Sequence, residues 1–314
     1  MTAPVTGAGP RAPRSSERLD HAATLGALLF GMVSVQIGAS LAKSLFPVLG
    51  AADTAALRTL LASLILLPIA WCLHRRNPVR LARRGAALTA IAVYGATLGA
   101  MNIVFYLALQ RLPLGIVVAI EFMGPLFLAL AGSRRPLDLL WVAFALTGLL
   151  FLMQPWRERH ALDPVGVGLA LLAAASWAIY ILAGRRLGQH LSGITATALG
   201  MGCAALFTAP ASLPALPTLF QADWLLPAAL GMGLLSSAVP YSIEMMAMRR
   251  MSMRGFSILM SLEPAIAAIA GLLLLGEHLN TGRWLAIGGI VVASLGSALT
   301  DKPSPGHEVP ESGP

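Results

Sequence analysis

The chain has 314 residues, of which 57% are hydrophobic and only 11% are charged. A soluble domain carries roughly 25% charged residues, so this composition excludes an ordinary water-facing surface and indicates an integral membrane protein. The net charge of +8 does not indicate nucleic-acid binding, because the arginines lie in short clusters between apolar blocks.

Apolar blocks of membrane-crossing length follow one another along the whole chain. Ten spans are predicted, at 24–46, 52–73, 85–109, 113–133, 137–153, 165–184, 194–212, 225–247, 253–275 and 282–300. The first block is long enough to span the bilayer, which disfavours a cleaved signal peptide. Residues 1–23 and 301–314 are rich in Pro, Gly, Ser and charge, and we predict that both are disordered cytoplasmic tails.

The basic residues predict how these spans are oriented. With the N-terminus placed in the cytoplasm, 16 of the 22 lysines and arginines fall in cytoplasmic segments and only four fall in outer loops. Cytoplasmic loops of membrane proteins carry such an excess of Lys and Arg. The bias therefore predicts a multi-pass protein with an even number of spans and with both termini in the cytoplasm.

A weak internal repeat relates the two halves of the chain. Arg111 lies fourteen residues before Pro125, and Arg250 lies fourteen residues before Pro264. Each proline lies inside an apolar span shortly after a glutamate. Because each half contains five spans, the halves enter the membrane in opposite senses, as in secondary transporters that bind substrate between inverted repeats. The predicted fold is an all-α membrane protein with ten transmembrane helices in two inverted five-helix repeats. The predicted repeats cover residues 24–153 and 165–300.

Few charged residues fall inside the predicted spans. An ionisable group at membrane depth costs about 2.5–3.5 kcal/mol, so each one is a candidate functional residue. Of 14 acidic residues three lie more than two residues from either end of a span, and of 22 basic residues two do. These five are Glu121, Glu244, Glu263, Lys43 and Arg58. All six histidines lie at span edges or outside spans, which argues against a histidine-ligated metal site in the membrane.

Glu121 and Glu263 are the strongest candidates for contact with a substrate or a proton. Both lie near the middle of their spans, beside Gly124-Pro125 and directly before Pro264. A proline removes a backbone donor, and the freed carbonyl and the carboxylate together form a polar point in the membrane. Two structural interpretations remain open. Glu263 can cap the helix that starts at its proline, and Glu121 can be the static partner of a buried base.

The remaining charges allow both functional and structural interpretations. Glu244 lies near the cytoplasmic end of its span, where it can pair with Arg249, or act in a gate beside the helix break at Pro240. Lys43 lies near the outer end of its span and can either bind substrate or reach the headgroups. Arg58 lies deeper, and its guanidinium suits a carboxylate. The predicted gate or hinge positions are Gly124, Pro125, Pro240, Glu244 and Pro264.

Aromatic and amide side chains within the spans complete the candidate substrate site. They either line a cavity or pack the protein core. They are Asn102, Tyr106, Trp177, Tyr180 and Tyr241. The small residues Gly289, Ala293 and Ser297 recur every fourth position of the last span, as in helix-packing faces. This stripe fits either a homodimer contact or packing within the chain.

Several sequence blocks resemble one family of membrane proteins. They include SVQIGASLAKSLFPVLGA (34–51), YGATLGAMNIVFYLAL (94–109), PLGIVVAIEFMGPL (113–126), PYSIEMMAMRR (240–250) and LMSLEPAIAA (259–268), which leads to LLGE (274–277). In this combination the chain resembles the drug/metabolite transporter superfamily, in its EamA-like branch, and within it the bacterial threonine/homoserine exporter family. The segment Met253-Arg254-Gly255-Phe256-Ser257 departs from the family's usual Thr-Phe-Gly pattern, so the cargo preference can differ.

The resemblance implies a transporter of the bacterial inner membrane that exports small zwitterionic amino acids, such as threonine and homoserine, in exchange for protons and without a cofactor. The hypothesis from the residues is that Arg58 or Lys43 meets the substrate carboxylate and that Glu121 or Glu263 meets the ammonium group. One of these glutamates then carries the proton during alternating access.

Other functions remain as alternatives. Within transporters, the cargo can be an aromatic amino acid, a cysteine metabolite or a cationic compound, although buried charges of both signs favour a zwitterion. An uncoupled channel predicts rings of polar groups along a pore. An enzyme is disfavoured, because the short loops hold no His/Asp or Ser/His constellation.

Overall fold

The computed structural model describes residues 15–76, 84–131, 162–188, 193–250 and 259–300, together with residue 191 and helical positions between 140 and 151. The described residues form helices and short turns and include no strand. The helices are α1 (Ser15–Leu49), α2 (Ala51–Arg76), α3 (Arg84–Leu109), α4 (Leu114–Glu121), α5 (Met123–Ala131), α6 (Pro164–Gly188), α7 (Gly193–Ala215), α8 (Leu225–Gly233), α9 (Val239–Arg250), α10 (Glu263–Leu275) and α11 (Thr281–Thr300). A short 3₁₀ segment, Leu216–Phe220, follows α7, and a π-helical segment, Leu234–Ala238, joins α8 to α9.

Most described helices are apolar on all sides, which is typical of helices that face lipid or a protein core rather than water. Among the described residues, six stretches are long and apolar enough to cross a membrane. They are Ala23–Leu49, Ala51–Leu73, Leu88–Leu109, Pro164–Gly184, Ile194–Phe220 and Leu225–Ala247. Shorter apolar helices cover Leu114–Leu128, Glu263–Leu275 and Thr281–Ala293. The predicted span 137–153 and the segment 253–257 lie mostly or wholly outside the described residues.

Large apolar side chains cover the outside of the helices. Phe127, Leu206, Leu273 and Leu285 are each at least 69% exposed. A monomeric soluble protein rarely exposes so much apolar surface, whereas lipid tails accept it without cost. The outer surface of the molecule therefore fits a bilayer.

Helix α1 begins earlier than the sequence analysis predicts. Its first residue is Ser15, so part of the predicted tail 1–23 is helical. The residues from Glu17 to Ala23 are mainly good helix formers, and they continue the helix that the apolar block begins. The prolines and glycines that made residues 1–23 resemble a disordered tail all lie before Ser15, so the composition of the whole segment did not represent its second half.

Helices from the two predicted repeats pack against each other throughout the molecule. Helix α2 packs on α7, α3 packs on α6 and α7, α4 packs on α10, and α1 packs on α9 and α10. Small residues allow the closest approaches. A Cβ atom on Gly115 of α4 would lie 2.5 Å from the Cα of Ala268 in α10, and one on Gly38 of α1 would lie 2.5 Å from the Ser236 nitrogen. These contacts bring the interrupted helices of both halves to the centre of the molecule.

The small residues Gly289, Ala293 and Ser297 of α11 do not all pack against the same neighbour. Ala293 is fully buried and packs with Leu126 of α5, while a Cβ atom on Gly289 would meet open space. The Ser297 side chain lies outside the described part of the structure. Packing within the chain thus accounts for Ala293, and the homodimer contact stays a prediction.

Candidate substrate site

The two glutamates predicted near the membrane centre lie at the ends of short helices that pack together. Glu121 is the last residue of α4, and Glu263 is the first residue of α10. Both are buried, with 8% of their surface exposed. Glu121 lies within electrostatic range of both Glu263 and Arg58. The structure therefore brings these three predicted residues into one region.

The predicted helix breaks lie beside these glutamates. Helix α4 ends at Glu121, Phe122 lies in a turn, and α5 begins at Met123. A Cβ atom on Gly124 would lie 2.0 Å from the carbonyl oxygen of Ala174 in α6, so only glycine allows this approach. Pro264 occupies the second position of α10, where a missing backbone N–H leaves no helical hydrogen bond unmade.

Gln36 joins α1 to this region, although it was not among the predicted site residues. Its Nε2 atom donates a hydrogen bond to Glu263 Oε1 over 3.3 Å. The amide oxygen of Gln36, Oε1, and the second carboxylate oxygen of Glu263, Oε2, are buried and have no hydrogen-bond partner among the described residues. An amide inside an apolar span was the sequence signal that marks this residue.

Arg58 provides the positive charge of the site and is only 3% exposed. Its guanidinium donates to Asn102 Oδ1, donates over 3.5 Å to the Ser236 carbonyl, and lies 4.9 Å from the centre of the Tyr106 ring. This arrangement places Arg58, Asn102 and Tyr106 together, as predicted. It also adds a backbone carbonyl that the sequence analysis did not include.

Pro240 explains why the Ser236 carbonyl is available to Arg58. In an α-helix the N–H of residue 240 would bond to the carbonyl of residue 236, but proline has no N–H. The π-helical segment Leu234–Ala238 lies directly before this proline, and such segments often occur at functional sites. The predicted hinge at Pro240 thus contributes a free carbonyl oxygen to the site.

Apart from the hydroxyls of Tyr106 and Ser237, which can both donate and accept, the unpaired buried atoms near the site are donors beside Arg58 and acceptors beside Glu263. On the Arg58 side, Arg58 Nε and Asn102 Nδ2 are buried donors that have no partner within the described part of the chain. On the α10 side, Gln36 Oε1 and Glu263 Oε2 are the acceptors described above. Buried polar groups are rarely left unpaired, because each one costs about 1–3 kcal/mol. The site is therefore suited to a small ligand that accepts hydrogen bonds at one end and donates them at the other.

Three tyrosines contact one another next to this site. Tyr94 donates from its hydroxyl to that of Tyr180, 2.9 Å away, and the Tyr180 ring lies 6.1 Å from that of Tyr241. Tyr241 lies within electrostatic range of Arg58 and of Glu244, which is partly buried. Tyr94 was missing from the predicted site residues. It lies in an apolar span like the three tyrosines that were predicted, so the same sequence signal marks it.

Trp177 takes a different position from the tyrosines. Its ring makes an edge-to-face contact with Phe122, with ring centres 5.9 Å apart, at the turn between α4 and α5. It is partly buried and packs against two hydrophobic clusters of the core. These contacts favour the packing interpretation for Trp177.

Lys43 lies apart from the other predicted substrate residues. Its Nζ atom lies 2.6 Å from Glu277 Oε1 and donates to the Leu112 carbonyl over 2.9 Å. Lys43 is seven residues beyond Gln36 on α1, or about 10 Å along the helix. Glu277 was not among the predicted charged candidates, because it lies two residues beyond the predicted span 253–275.

A second ion pair involves Arg111, next to Leu112 in the chain, and is more exposed. Arg111 Nη1 lies 2.8 Å from Asp163 Oδ2, with side-chain exposures of 46% and 32%. The hydrogen bond from Arg111 holds the pKa of Asp163 below its ordinary value, and backbone N–H groups of the next residues add to this shift. Exposed ion pairs of this kind are weak and sensitive to salt.

Comparisons with known proteins place the chain among membrane transporters. A sequence model of the EamA-like transporter family matches residues 164–299. The threonine/homoserine exporter RhtA of Escherichia coli (strain K12) is 46% identical over 277 residues, which cover 87% of this chain and 90% of the relative. The protein of the same name from Salmonella typhimurium (strain SL1344) is 42% identical over 296 residues, which cover 93% and 97%.

These matches define the family. The chain belongs to the EamA-like transporter family, in the branch that contains these two proteins. It is a multi-pass transmembrane transporter of the bacterial inner membrane. A solved crystal structure of another protein also matches, with a TM-score of 0.56 and 20% identity across 87% of this chain and 96% of that one, which shows a common fold.

Proposed function

We propose that this protein exports small zwitterionic amino acids of the threonine/homoserine type from the bacterial cytoplasm. The observation that supports this proposal is that the unpaired amide and charged groups are donors beside Arg58 and acceptors beside Glu263, while the Tyr106 hydroxyl can act as either. An amino acid carries a carboxylate that only accepts hydrogen bonds and an ammonium group that only donates them. The names of the two relatives agree with this class of cargo.

In this proposal, each end of the substrate has its own partners. The carboxylate accepts hydrogen bonds from Arg58 Nε and Asn102 Nδ2, and the fork of the guanidinium suits its two oxygens. The ammonium group donates to Glu263 Oε2 and Gln36 Oε1. Tyr106, Tyr180 and Tyr241 line the space around the substrate. Lys43 is not required in this arrangement, because Glu277 and the Leu112 carbonyl already pair its charge.

We further propose that export is coupled to proton entry through Glu121 and Glu263. The two carboxylates lie within electrostatic range of each other, so they repel when both are ionised. Binding of the ammonium group relieves this repulsion on export, and binding of a proton relieves it on return. The same pair of residues thereby makes cargo and proton alternative ligands, which is the condition for antiport.

Alternating access requires that two halves of the protein move relative to each other. We propose ten transmembrane helices in two inverted five-helix repeats, 24–153 and 165–300, with both termini in the cytoplasm. The extensive packing between helices of the two halves and the pairing of α4 with α10 support this arrangement. Gly124, Pro125, Pro240, Glu244 and Pro264 are the proposed hinge or gate positions.

Two measurements test the proposal together. The full-length protein is expressed in a bacterium that lacks its own amino-acid exporters, and growth is followed at toxic concentrations of threonine, homoserine and unrelated amino acids. The purified protein is then placed in liposomes, and export of labelled threonine is measured with and without a pH gradient.

Expected results are growth resistance to threonine and homoserine and a threonine flux that increases with an inward proton gradient. Resistance only to aromatic amino acids, cysteine or cationic compounds would overturn the proposed cargo. A flux that ignores the pH gradient would overturn the antiport mechanism and indicate an uncoupled pathway.

A further inference from the structure

The cluster around Glu277 connects three helices at one end of the molecule. Glu277 Oε1 pairs with Lys43 of α1 at 2.6 Å, and Oε2 accepts a hydrogen bond of 2.7 Å from the Leu114 backbone N–H at the start of α4. The Glu277 backbone N–H bonds to the Gly271 carbonyl of α10 over 3.0 Å. We call Lys43, Glu277 and the backbone groups of Leu112 and Leu114 the end cluster.

Local backbone geometry holds Glu277 in this position. Gly276 ends α10 in the left-handed conformation, with φ of 64°, which turns the chain back over the helix. Glu277 then lies so close to α10 that a Cβ atom on Gly271 would be 2.6 Å from its Oε2. Both glycines therefore serve the same purpose, which is to bring one carboxylate against α4 and α1.

The helices joined by the end cluster are the ones that carry the proposed site. Helix α4 runs from Leu114, which Glu277 holds, to Glu121, and α10 runs from Glu263 to the turn that contains Glu277. Helix α1 contacts both clusters, through Gln36 and Lys43. One carboxylate thus fixes the far ends of both short helices that carry the site glutamates.

The end cluster also crosses between the two predicted repeats. Lys43, Leu112 and Leu114 belong to the first repeat, and Glu277 belongs to the second. The charge bias of the loops predicts that this end faces the outside of the cell. A transporter in which the repeats move apart at this end must therefore break the contacts of Glu277.

We infer that Glu277 is a positioning residue for export, which joins α4, α10 and Lys43 and so holds the outer end of the protein closed until that end opens to release cargo. This inference rests on the proposed transport function. It assigns Lys43 to closure of the outer end and not to the substrate carboxylate. The pair is largely shielded from water, with side-chain exposures of 22% and 14%, so salt screens it less than an exposed pair.

The first test measures closure directly and needs no cargo. Cys72 and Cys203 are replaced by Ser and Ala, and Val118→Cys is added as a reporter, since Val118 is buried in α4 between Leu114 and Glu121. Intact cells are treated with a thiol reagent that does not cross the membrane. We expect Glu277→Gln to raise the labelling rate about tenfold, because a charged hydrogen bond is lost.

Asp163→Asn is the matched control, because it removes an exposed ion pair from the neighbouring turns. We expect this variant to label like the parent. A labelling rate for Glu277→Gln within about twofold of the control would overturn the inference. If the Glu277→Gln protein does not insert into the membrane, Lys43→Gln is the second variant, and we expect the same rise in its labelling rate. Lys43→Arg should label at the parent rate, because it keeps the positive charge.

The second test separates positioning from a general structural role. We expect Glu277→Gln to raise the KM for cytoplasmic threonine more than it lowers the maximal rate, because fewer molecules face the cytoplasm at any moment. Lys43→Gln with Glu277→Gln should be no worse than either change alone. Additive losses would contradict the inference. If labelling responds as expected but neither parent nor variant exports threonine, the proposed cargo fails and the closure role stands.

Discussion

Helix α1 contacts two polar clusters through Gln36 and Lys43, which lie about 10 Å apart along the helix. The central cluster, which comprises Gln36, Arg58, Asn102, Glu121 and Glu263, differs from the end cluster in how its polar atoms are paired. In the central cluster, Arg58 and Glu263 are 3% and 8% exposed, and each has an unpaired polar atom. In the end cluster, Lys43 and Glu277 are more exposed, and their charges pair with each other and with backbone groups. The more deeply buried cluster is thus the less satisfied one.

This difference distinguishes a ligand site from a structural contact. A buried polar atom without a hydrogen-bond partner destabilises the folded protein, and nothing in folding itself offsets this cost. A paired cluster needs no additional partner. This difference supports the proposed roles, which are binding for the central cluster and closure for the end cluster, and the following predictions test them.

Arg58→Gln should have the largest effect. It removes the only buried positive charge of the central cluster within the described residues, and it leaves the Ser236 carbonyl without its charged donor. We expect threonine export in liposomes to fall by about 100-fold or more, which corresponds to the loss of a bidentate charged contact. Arg58→Lys should restore little, because an ammonium group cannot reproduce the fork.

The control for Arg58→Gln is the amount of folded protein, measured by its elution as a single species in detergent. Export by Arg58→Gln at a rate close to that of the parent would remove Arg58 from the substrate site.

Glu121→Gln and Glu263→Gln should have large effects of different kinds. Glu263→Gln removes a charged acceptor of the ammonium group, so we expect a loss of threonine affinity of about tenfold or more, measured by equilibrium binding. Glu121→Gln retains the acceptors but removes a protonatable group, so we expect binding to persist while export no longer responds to a pH gradient. Normal export with an intact pH response in both variants would show that the proposed site is wrong.

Gly271→Ala should have a moderate effect that is confined to the end cluster. The added Cβ atom would lie 2.6 Å from Glu277 Oε2, so the carboxylate must move away from the Leu114 N–H without any change of charge. We expect a several-fold rise in KM and in outer labelling, with little change in threonine affinity. Gly288→Ala is the matched control, because its Cβ atom would meet open space. Equal behaviour of the two variants would contradict the closure role.

The sequence predicted individual elements of the site better than their partners. Apolar block length predicted helices, and the cost of burying charge made Arg58, Glu121 and Glu263 candidates, because both signals are local in the sequence. The hydrogen-bond or ion-pair partner of a buried side chain depends on which helices pack together, and a local sequence pattern does not give this information. Lys43 was therefore predicted as a substrate residue, since its partner Glu277 lies 234 positions away in a turn.

One missed feature could have been deduced from the sequence. Pro240 lacks an N–H, so the carbonyl four residues earlier, that of Ser236, must find another donor. Arg58 is that donor in the structure. The sequence alone thus predicts that the Ser236 carbonyl lacks its helical donor. Its partner is known only from the structure, in which α2 packs against the π-helical segment.

Asp163→Asn should have the smallest effect, and its pH dependence has a defined sign. Arg111 lowers the pKa of Asp163 in the folded protein, so the ion pair stabilises the fold above the ordinary pKa of aspartate. This contribution is lost as the pH falls through the lowered value, at which Asp163 takes up a proton. We expect the parent to unfold at a slightly higher temperature than the variant at pH 7, and the difference to disappear well below about pH 4.

The same difference should shrink in 1 M salt, because the side chains of this pair are exposed and therefore screened. Export and outer labelling should match the parent, since Arg111 and Asp163 do not touch Lys43 or Glu277 through any described hydrogen bond or ion pair. If Asp163→Asn raised the outer labelling rate as much as Glu277→Gln, the shielded ion pair would have no special role in closure. Closure would then depend on the total charge at this end of the molecule.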